Sequence, residues 1–203
     1  MKITDNVNLI DGTMANCYDV HINDVHILVD AGTKNSAKKI ISYYNQMKSS
    51  PDYVLITHYH PDHIGGLKLI LDNFKSDVFV PDAEVDVVLG KAKMIPAKTI
   101  LSKIVSRMMK VEPVKDVKKA SELHMNGITV IETPGHTPGS TSYYFEKDGV
   151  IFVGDAITNK SGVPTINKGF TLDMKQAEKS KALILEKKPS IVLAGHGKPL
   201  INR

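Results

Sequence analysis

Residues 57–66 read Thr-His-Tyr-His-Pro-Asp-His-Ile-Gly-Gly and follow the apolar run Tyr53-Val54-Leu55-Ile56. That run reads as a buried strand, so three histidines and an aspartate stand where a strand ends and a helix begins. In a helix, His58 and His60 would point about 200° apart and could share nothing; in an extended loop of period two they point the same way. Asp62 and His63 then face a second position. One short loop thus offers ligands to two metal ions, and it needs a rigid scaffold beneath it.

The pattern recurs at other strand ends. The apolar run 128–131 leads into Thr133-Pro134-Gly135-His136-Thr137-Pro138-Gly139, 150–153 into Gly154-Asp155, and 191–193 into Gly195-His196-Gly197. Each stands among Gly, Pro or Thr, which suits loops on a fixed framework. Five of the eight histidines (58, 60, 63, 136 and 196) fall in such loops. His21, His26 and His124 lie in or beside alternating strands and read as surface or core residues. Five imidazoles and the carboxylates of Asp62 and Asp155 are too many for one tetrahedral ion. They fit two ions about 3.5–4 Å apart, one carboxylate shared and positions left open for water. Nitrogen and oxygen ligands suit zinc first, with iron or manganese as alternatives, rather than soft copper.

The single cysteine, Cys17, excludes an intramolecular disulfide and a Cys₄ zinc site. A chain of 203 residues suffices for one α/β domain with a proper core. The first residues carry no apolar leader and no run reaches the ~18 residues of a membrane span, so a cytoplasmic location with no membrane partner is expected. The net charge of +4 is concentrated: residues 81–120 hold nine Lys/Arg against five Asp/Glu. So mild an excess neither demands nor excludes nucleic acid.

Residues 2–10 and 16–30 suggest antiparallel strands, and Asp30-Ala31-Gly32 forms an acidic turn at the end of the last one. A helix is predicted over 35–48, with Ala37, Ile40, Ile41, Tyr44 and Met47 on one face. Another follows the histidine loop, with Leu67, Ile70, Leu71 and Phe74 at helical spacing. Gly65-Gly66 at its start predicts either a loosely wound first turn or room left for the metal pocket. Residues 81–120 read as a basic helical insertion, broken at Pro96 and ended by Pro113, with an apolar stripe from Ile100 to Met109. A helix over 172–187, with Leu172, Ala182, Leu183 and Leu185 among its apolar positions, precedes the last strand. The two halves, each of strands and helices, predict an α/β fold of two packed sheet-and-helix units.

At this point the sequence resembles the metallo-β-lactamase superfamily. The match covers nearly the whole chain, in the family's order: the Leu28-Val29-Asp30-Ala31-Gly32 turn, the His58–His63 loop, the His136 loop, Gly154-Asp155 and Gly195-His196. The resemblance implies one domain over residues 1–203, a four-layer αβ/βα sandwich of two mixed sheets flanked by helices. It implies that His58, His60 and His136 hold one metal, that Asp62, His63 and His196 hold the other, and that Asp155 bridges them. Asp30 would support the ligand loop from behind. The implied chemistry is hydrolysis of an ester, thioester or lactone by hydroxide held between two metals. Asp62 would orient the nucleophile and carry a proton.

Departures inside the family narrow the choice. β-Lactamases of the commonest zinc type carry cysteine where Asp155 stands, which points away from antibiotic hydrolysis. Flavodiiron proteins carry glutamate where His60 stands. Glyoxalase II enzymes share all seven ligands but add a C-terminal helical domain, whereas this chain ends seven residues after His196. Lactonases of the superfamily often place tyrosine three residues after the bridging aspartate, where this chain has Thr158; Tyr59, Tyr143 and Tyr144 are the candidate replacements. Two other chemistries share the fold: phosphodiester cleavage, as in RNA-processing nucleases, and single-iron persulfide dioxygenation. A small-molecule substrate and a monomer or homodimer complete the expectation.

Overall fold

A computed structural model of the protein describes residues 1–96 and 111–202. Six strands lie side by side in chain order: β1 (Val7–Ile10), β2 (Cys17–Ile22), β3 (Val25–Val29), β4 (Tyr53–Leu55), β5 (Asp77–Val80) and β6 (Lys118–Lys119). The first three pair antiparallel, and β3 to β6 run parallel. Asn23 and Asp24 turn β2 into β3 with both φ angles positive, the two-residue hairpin geometry that Asn and Asp tolerate.

The second sheet holds β7 (Ile128–Glu132), β8 (Thr141–Phe145), β9 (Val150–Gly154), β12 (Ile191–Ala194) and β13 (Leu200–Ile201), in the order β13-β12-β9-β8-β7. Only β9 and β12 are parallel in it. Between β9 and β12 the chain forms a separate hairpin, β10 (Thr158–Lys160) with β11 (Val163–Thr165).

Alternation along the strands sorts side chains into layers. In the first sheet Ile27, Val29, Leu55 and Phe79 face the second sheet, where they meet Tyr143, Phe145, Phe152 and Leu193. Leu28, Val54, Ile56, Val78 and Val80 face the other way, onto Ile40 and Tyr44 of helix α1 (Lys34–Met47) and onto Leu67 and Ile70. The outer face of the second sheet, with Ile151, Val153, Val192 and Ala194, packs on Ala177 and Ile184. Each fully buried Val, Leu or Ile contributes roughly 1.5–3 kcal/mol, so three such seams hold the layers together. The result is the expected four-layer αβ/βα sandwich.

The helix after the histidine loop comes in two pieces, α2 (Pro61–Ile64) and α3 (Leu67–Asn73), so the first turn is indeed interrupted at Gly65-Gly66. The metal pocket is not the reason. A Cβ at Gly66 would lie 2.3 Å from the Ala31 carbonyl oxygen and 2.7 Å from the Ala37 Cβ, and one at Gly65 would lie 2.3 Å from the Pro61 oxygen. These glycines let α2 and α3 press against the turn that begins α1.

Two other expectations change. The last helix, α5 (Met174–Glu186), buries Ala177, Ser180 and Ile184, while Ala182 and Leu183 face outward. Within 81–120, the described residues hold a 3₁₀ turn (Asp82–Glu84), the short helix α4 (Val85–Val88), irregular chain and the strand β6. Val88, Val114 and Ala120 are buried in the body, so both ends of that segment belong to the sandwich rather than to a helical insertion. The stripe from Ile100 to Met109 lies outside the described residues.

Candidate metal centre

The C-terminal ends of β3, β4, β9 and β12 open at one edge of the sandwich, where carboxyl ends of parallel strands commonly bind ligands. Asp30, directly after β3, has φ +63°, a left-handed conformation that aspartate adopts more readily than most residues. Its buried carboxylate accepts hydrogen bonds from the Thr57 backbone N–H (2.8 Å), the Thr57 hydroxyl (2.8 Å) and His63 Nδ1 (2.7 Å). The Tyr143 hydroxyl ties the two sheets together here by donating to the Ile56 carbonyl at 2.8 Å.

These bonds set the histidine tautomers. Because His63 Nδ1–H donates to Asp30, Nε2 is the nitrogen left to bind an ion. The Thr57 hydroxyl gives its one hydrogen to Asp30 and can only accept from His58 Nδ1, 3.1 Å away, so His58 Nε2 is unprotonated. Both Nε2 atoms point into the cluster.

All seven predicted residues come together. His58 Nε2 and His136 Nε2 lie 3.0 and 2.9 Å from His60 Nδ1, a convergence of three ring nitrogens. Beside them, His196 Nε2 lies 3.1 Å from Asp62 Oδ2. Asp155 stands between the groups: its Oδ1 is 3.6 Å from His63 Nε2, and its Oδ2 is 3.6 Å from His136 Nε2 and 3.5 Å from His196 Nε2. Three sets could each hold an ion: His58/His60/His136, His58/His63/Asp155 and Asp62/His63/His196.

The donor set fits metal ions. His63 Nε2 is buried with no hydrogen-bond partner, and His60 Nδ1 faces two other ring nitrogens yet carries at most one proton. Buried polar atoms are seldom left unpaired, and a cation amid these lone pairs satisfies them together. Glycines keep the space open. A Cβ on Gly195 would lie 2.4 Å from His63 Cε1 and 2.5 Å from Asp155 Oδ1, and one on Gly154 would lie 2.4 Å from the Thr57 hydroxyl oxygen.

Electrostatics divide the cluster. Burial, reinforced by neighbouring imidazoles, holds His58 and His136 well below the usual histidine range and brings His60 down to about 4. For His63 burial works against the charged ring, but the carboxylates of Asp30, Asp155 and Asp62 outweigh it and raise the group to about 10; the same carboxylates favour any cation at this place, and a metal ion on Nε2 takes the place of that second proton. His196 is raised by its hydrogen bond to Asp62. Burial opposes the charge of Asp62, yet His196 and His63 keep it below the ordinary carboxylate range.

The His136 loop is held from two sides. On one, the buried Glu84 accepts hydrogen bonds from the Thr137 hydroxyl and, at 3.1 Å, from the Gly139 N–H. On the other, the Asp173 N–H donates to the Gly135 carbonyl (2.9 Å) and the Ser180 hydroxyl to the Pro134 carbonyl (2.7 Å). Burial pushes Glu84 up to about 7. Sequence reading missed Glu84 because it lies in the 81–120 segment, which was read as a basic helical insertion, and nothing local marks the carboxylate as buried. Thr57 was given no role in the sequence reading, although a hydroxyl beside a ligand histidine is a visible signal.

The candidate phenols are engaged elsewhere. Tyr143 is buried on the Ile56 carbonyl, Tyr59 donates to the Ile95 carbonyl at 3.2 Å, and Tyr144 packs on the outer face of the second sheet. Thr158, in the position where lactonases often carry tyrosine, donates to the His196 carbonyl at 3.0 Å. His26 binds the buried Asp19 at 2.9 Å and stacks on His21, and His124 is exposed, all away from the cluster.

Residues 10–196 match the pattern of the metallo-beta-lactamase superfamily. A Bacillus subtilis (strain 168) protein named probable metallo-hydrolase YflN is 27% identical over 94% of this chain and 83% of its own. Among solved structures, BLEG-1 B3 metallo-beta-lactamase superposes with a TM-score of 0.77 at 25% identity, covering 96% of this chain and 93% of that one. TTHA1623, solved in a di-iron-bound form, shares the fold with a TM-score of 0.76 at 21% identity over 96% of this chain and 93% of that one. With its fold, its strand-end cluster and a match spanning nearly its full length, the chain belongs to the metallo-β-lactamase superfamily, a superfamily of metal-dependent enzymes.

Proposed function

We propose that this protein hydrolyses a small carbonyl substrate, an ester, thioester or lactone, with two divalent metal ions. His58, His60 and His136 would hold one ion and Asp62, His63 and His196 the other. Asp155 would serve both, and its position between the two sets is the observation that carries the reading. Two such ions, zinc first and iron or manganese as alternatives, supply water that is acidic near neutral pH and a Lewis acid for the carbonyl oxygen.

The protein's part is orientation. Asp30 and Thr57 engage Nδ1 of His63 and His58 and so aim Nε2 of each inward, which is how a carboxylate behind a ligand histidine acts. Asp62, at the first turn of α2 and 23% exposed, can reach both the cluster and solvent. In this reading it orients the attacking water and carries its proton to the leaving oxygen or sulfur. With Tyr59 and Tyr143 committed to backbone carbonyls, the transition state would be stabilised without a phenol, which favours acyclic esters and thioesters over lactones. The whole chain would act as one catalytic domain.

The test is metal analysis followed by a hydrolysis screen of esters, thioesters, lactones, phosphodiesters and a β-lactam on the same preparation. Two ions per chain and turnover of a carbonyl substrate, lost in H60A, are expected. Cleavage of phosphodiesters alone would replace this reading with a nuclease, and one iron with oxygen consumption would replace it with a dioxygenase.

A further inference from the structure

His196 is the member of the cluster least supported by its own surroundings. Its side chain is 43% exposed, and it sits between Gly195 and Gly197 just past the end of β12. Neither glycine can be replaced freely: Gly195 has no room for a Cβ beside His63 and Asp155, and Gly197 has φ +90°. Glycine on both sides leaves the backbone its widest freedom, and no flanking side chain can anchor the loop by packing. Hydrogen bonds to the backbone must do so.

All four carbonyls of residues 194–197 are taken. The Ala194 oxygen accepts from the Tyr18 hydroxyl (2.8 Å) and from Asn16 Nδ2 (2.9 Å), and the Gly195 oxygen accepts from the Asn16 backbone N–H (2.7 Å). The Gly197 oxygen accepts from Asn16 Nδ2 (2.9 Å), and the His196 oxygen from the Thr158 hydroxyl (3.0 Å). The Asn16 amide must present its nitrogen here because both partners are acceptors. One residue before β2 and one at the start of β10 therefore grip the segment from opposite sides.

We propose that Asn16 and Thr158 are positioning residues that clamp the 194–197 segment and so fix His196 for the second metal ion. A side chain that must be held within about 0.5 Å of its working place cannot rest on a Gly-His-Gly loop alone. The inference rests on the two-metal reading for its metal consequence. Its mechanical content, a restrained segment, does not depend on metal.

The experiment uses the full chain with two near-isosteric variants. N16D turns the donor into an acceptor facing two carbonyls, and T158V removes only the hydroxyl; T158S is the conservative control. In cobalt(II) titrations, each disruptive variant should weaken the second binding event by about 10–100-fold and leave the first unchanged, as for residues that orient a ligand, with T158S close to the parent. In metal-free protein, amide hydrogen exchange at residues 195–198 should quicken in N16D and T158V while exchange in β4 and β9 stays as in the parent. Unchanged exchange at 195–198 in both folded variants, or equal weakening of both metal events, overturns the clamp. If the parent chain binds fewer than two ions, the two-metal reading falls, and the exchange measurement still decides the clamp.

Discussion

The two halves of the cluster are built from opposite materials. His58, His60 and His136 meet inside the edge of the sandwich, with His58 and His136 fully buried and all three rings driven toward neutrality by burial. Asp62, His63 and His196 form the outer half, where charge is kept: Asp62 and His196 are partly exposed and hydrogen-bonded to each other, and His63 rests on Asp30. Burial together with hydrogen bonds behind His58 and His136 holds the inner half in place, whereas Asp62 and His196 in the outer half rest on hydrogen bonds with little burial. Loss of a single polar contact should therefore reach the outer half first.

The largest effect should come from the inner half. H58A should lower metal affinity and turnover by more than the 10–100-fold that a supporting residue is worth, read by metal content after dialysis and by initial rates. If H58A retained both ions, the division into an inner and an outer set would be wrong.

D30A comes next. It leaves the donors of Thr57 and His63 unpaired and places alanine at a positive φ, so a loss of about 3–5 kcal/mol of folding stability is expected. Chemical denaturation measures it, and a loss below 1 kcal/mol would show that Asp30 is dispensable to both halves.

G195A should act mainly on the outer half. Its Cβ would collide with His63 and with Asp155, which serves both sets, so the second metal should be lost while the first is weakened but retained. Retention of both metals in a folded G195A protein would contradict that.

The smallest effect concerns the loop behind His136. Glu84 is raised to about 7 by burial, so the folded chain binds its proton more tightly than the unfolded chain does. Stability linked to this carboxyl is full below its unfolded value near 4.5 and is lost as pH rises through about 7. E84Q keeps an acceptor for Thr137 and Gly139 without the charge. Its stability relative to the parent should therefore be higher at pH 8 than at pH 5, in thermal unfolding at both pH values. The same difference at both would remove the argument.

The ligand set was legible in the sequence because each member follows an apolar run and sits among Gly, Pro or Thr. The strands were legible because a short apolar run between turn residues is a local property, and the four layers followed from the family resemblance. The buried face of α5 was not legible: its apolar residues Ala182 and Leu183 point outward, and a serine, Ser180, takes an inward place by donating to the Pro134 carbonyl. Composition alone does not reveal such a partner.

Sequence by itself determined the seven candidate ligands and two sheet-and-helix halves, since these follow from strand ends and short-range periodicity; the four layers and the supporting Asp30 came with the family resemblance, and the bond from His63 Nδ1 to Asp30 with the structure. Tertiary structure alone decided that Gly65 and Gly66 serve helix packing, that the tyrosines are committed elsewhere, and that Asn16 meets residues 194–197 from nearly the other end of the chain. The physical reason is distance along the chain. A hydrogen bond between positions 178 or 181 residues apart imposes no period and no composition on the sequence that makes it.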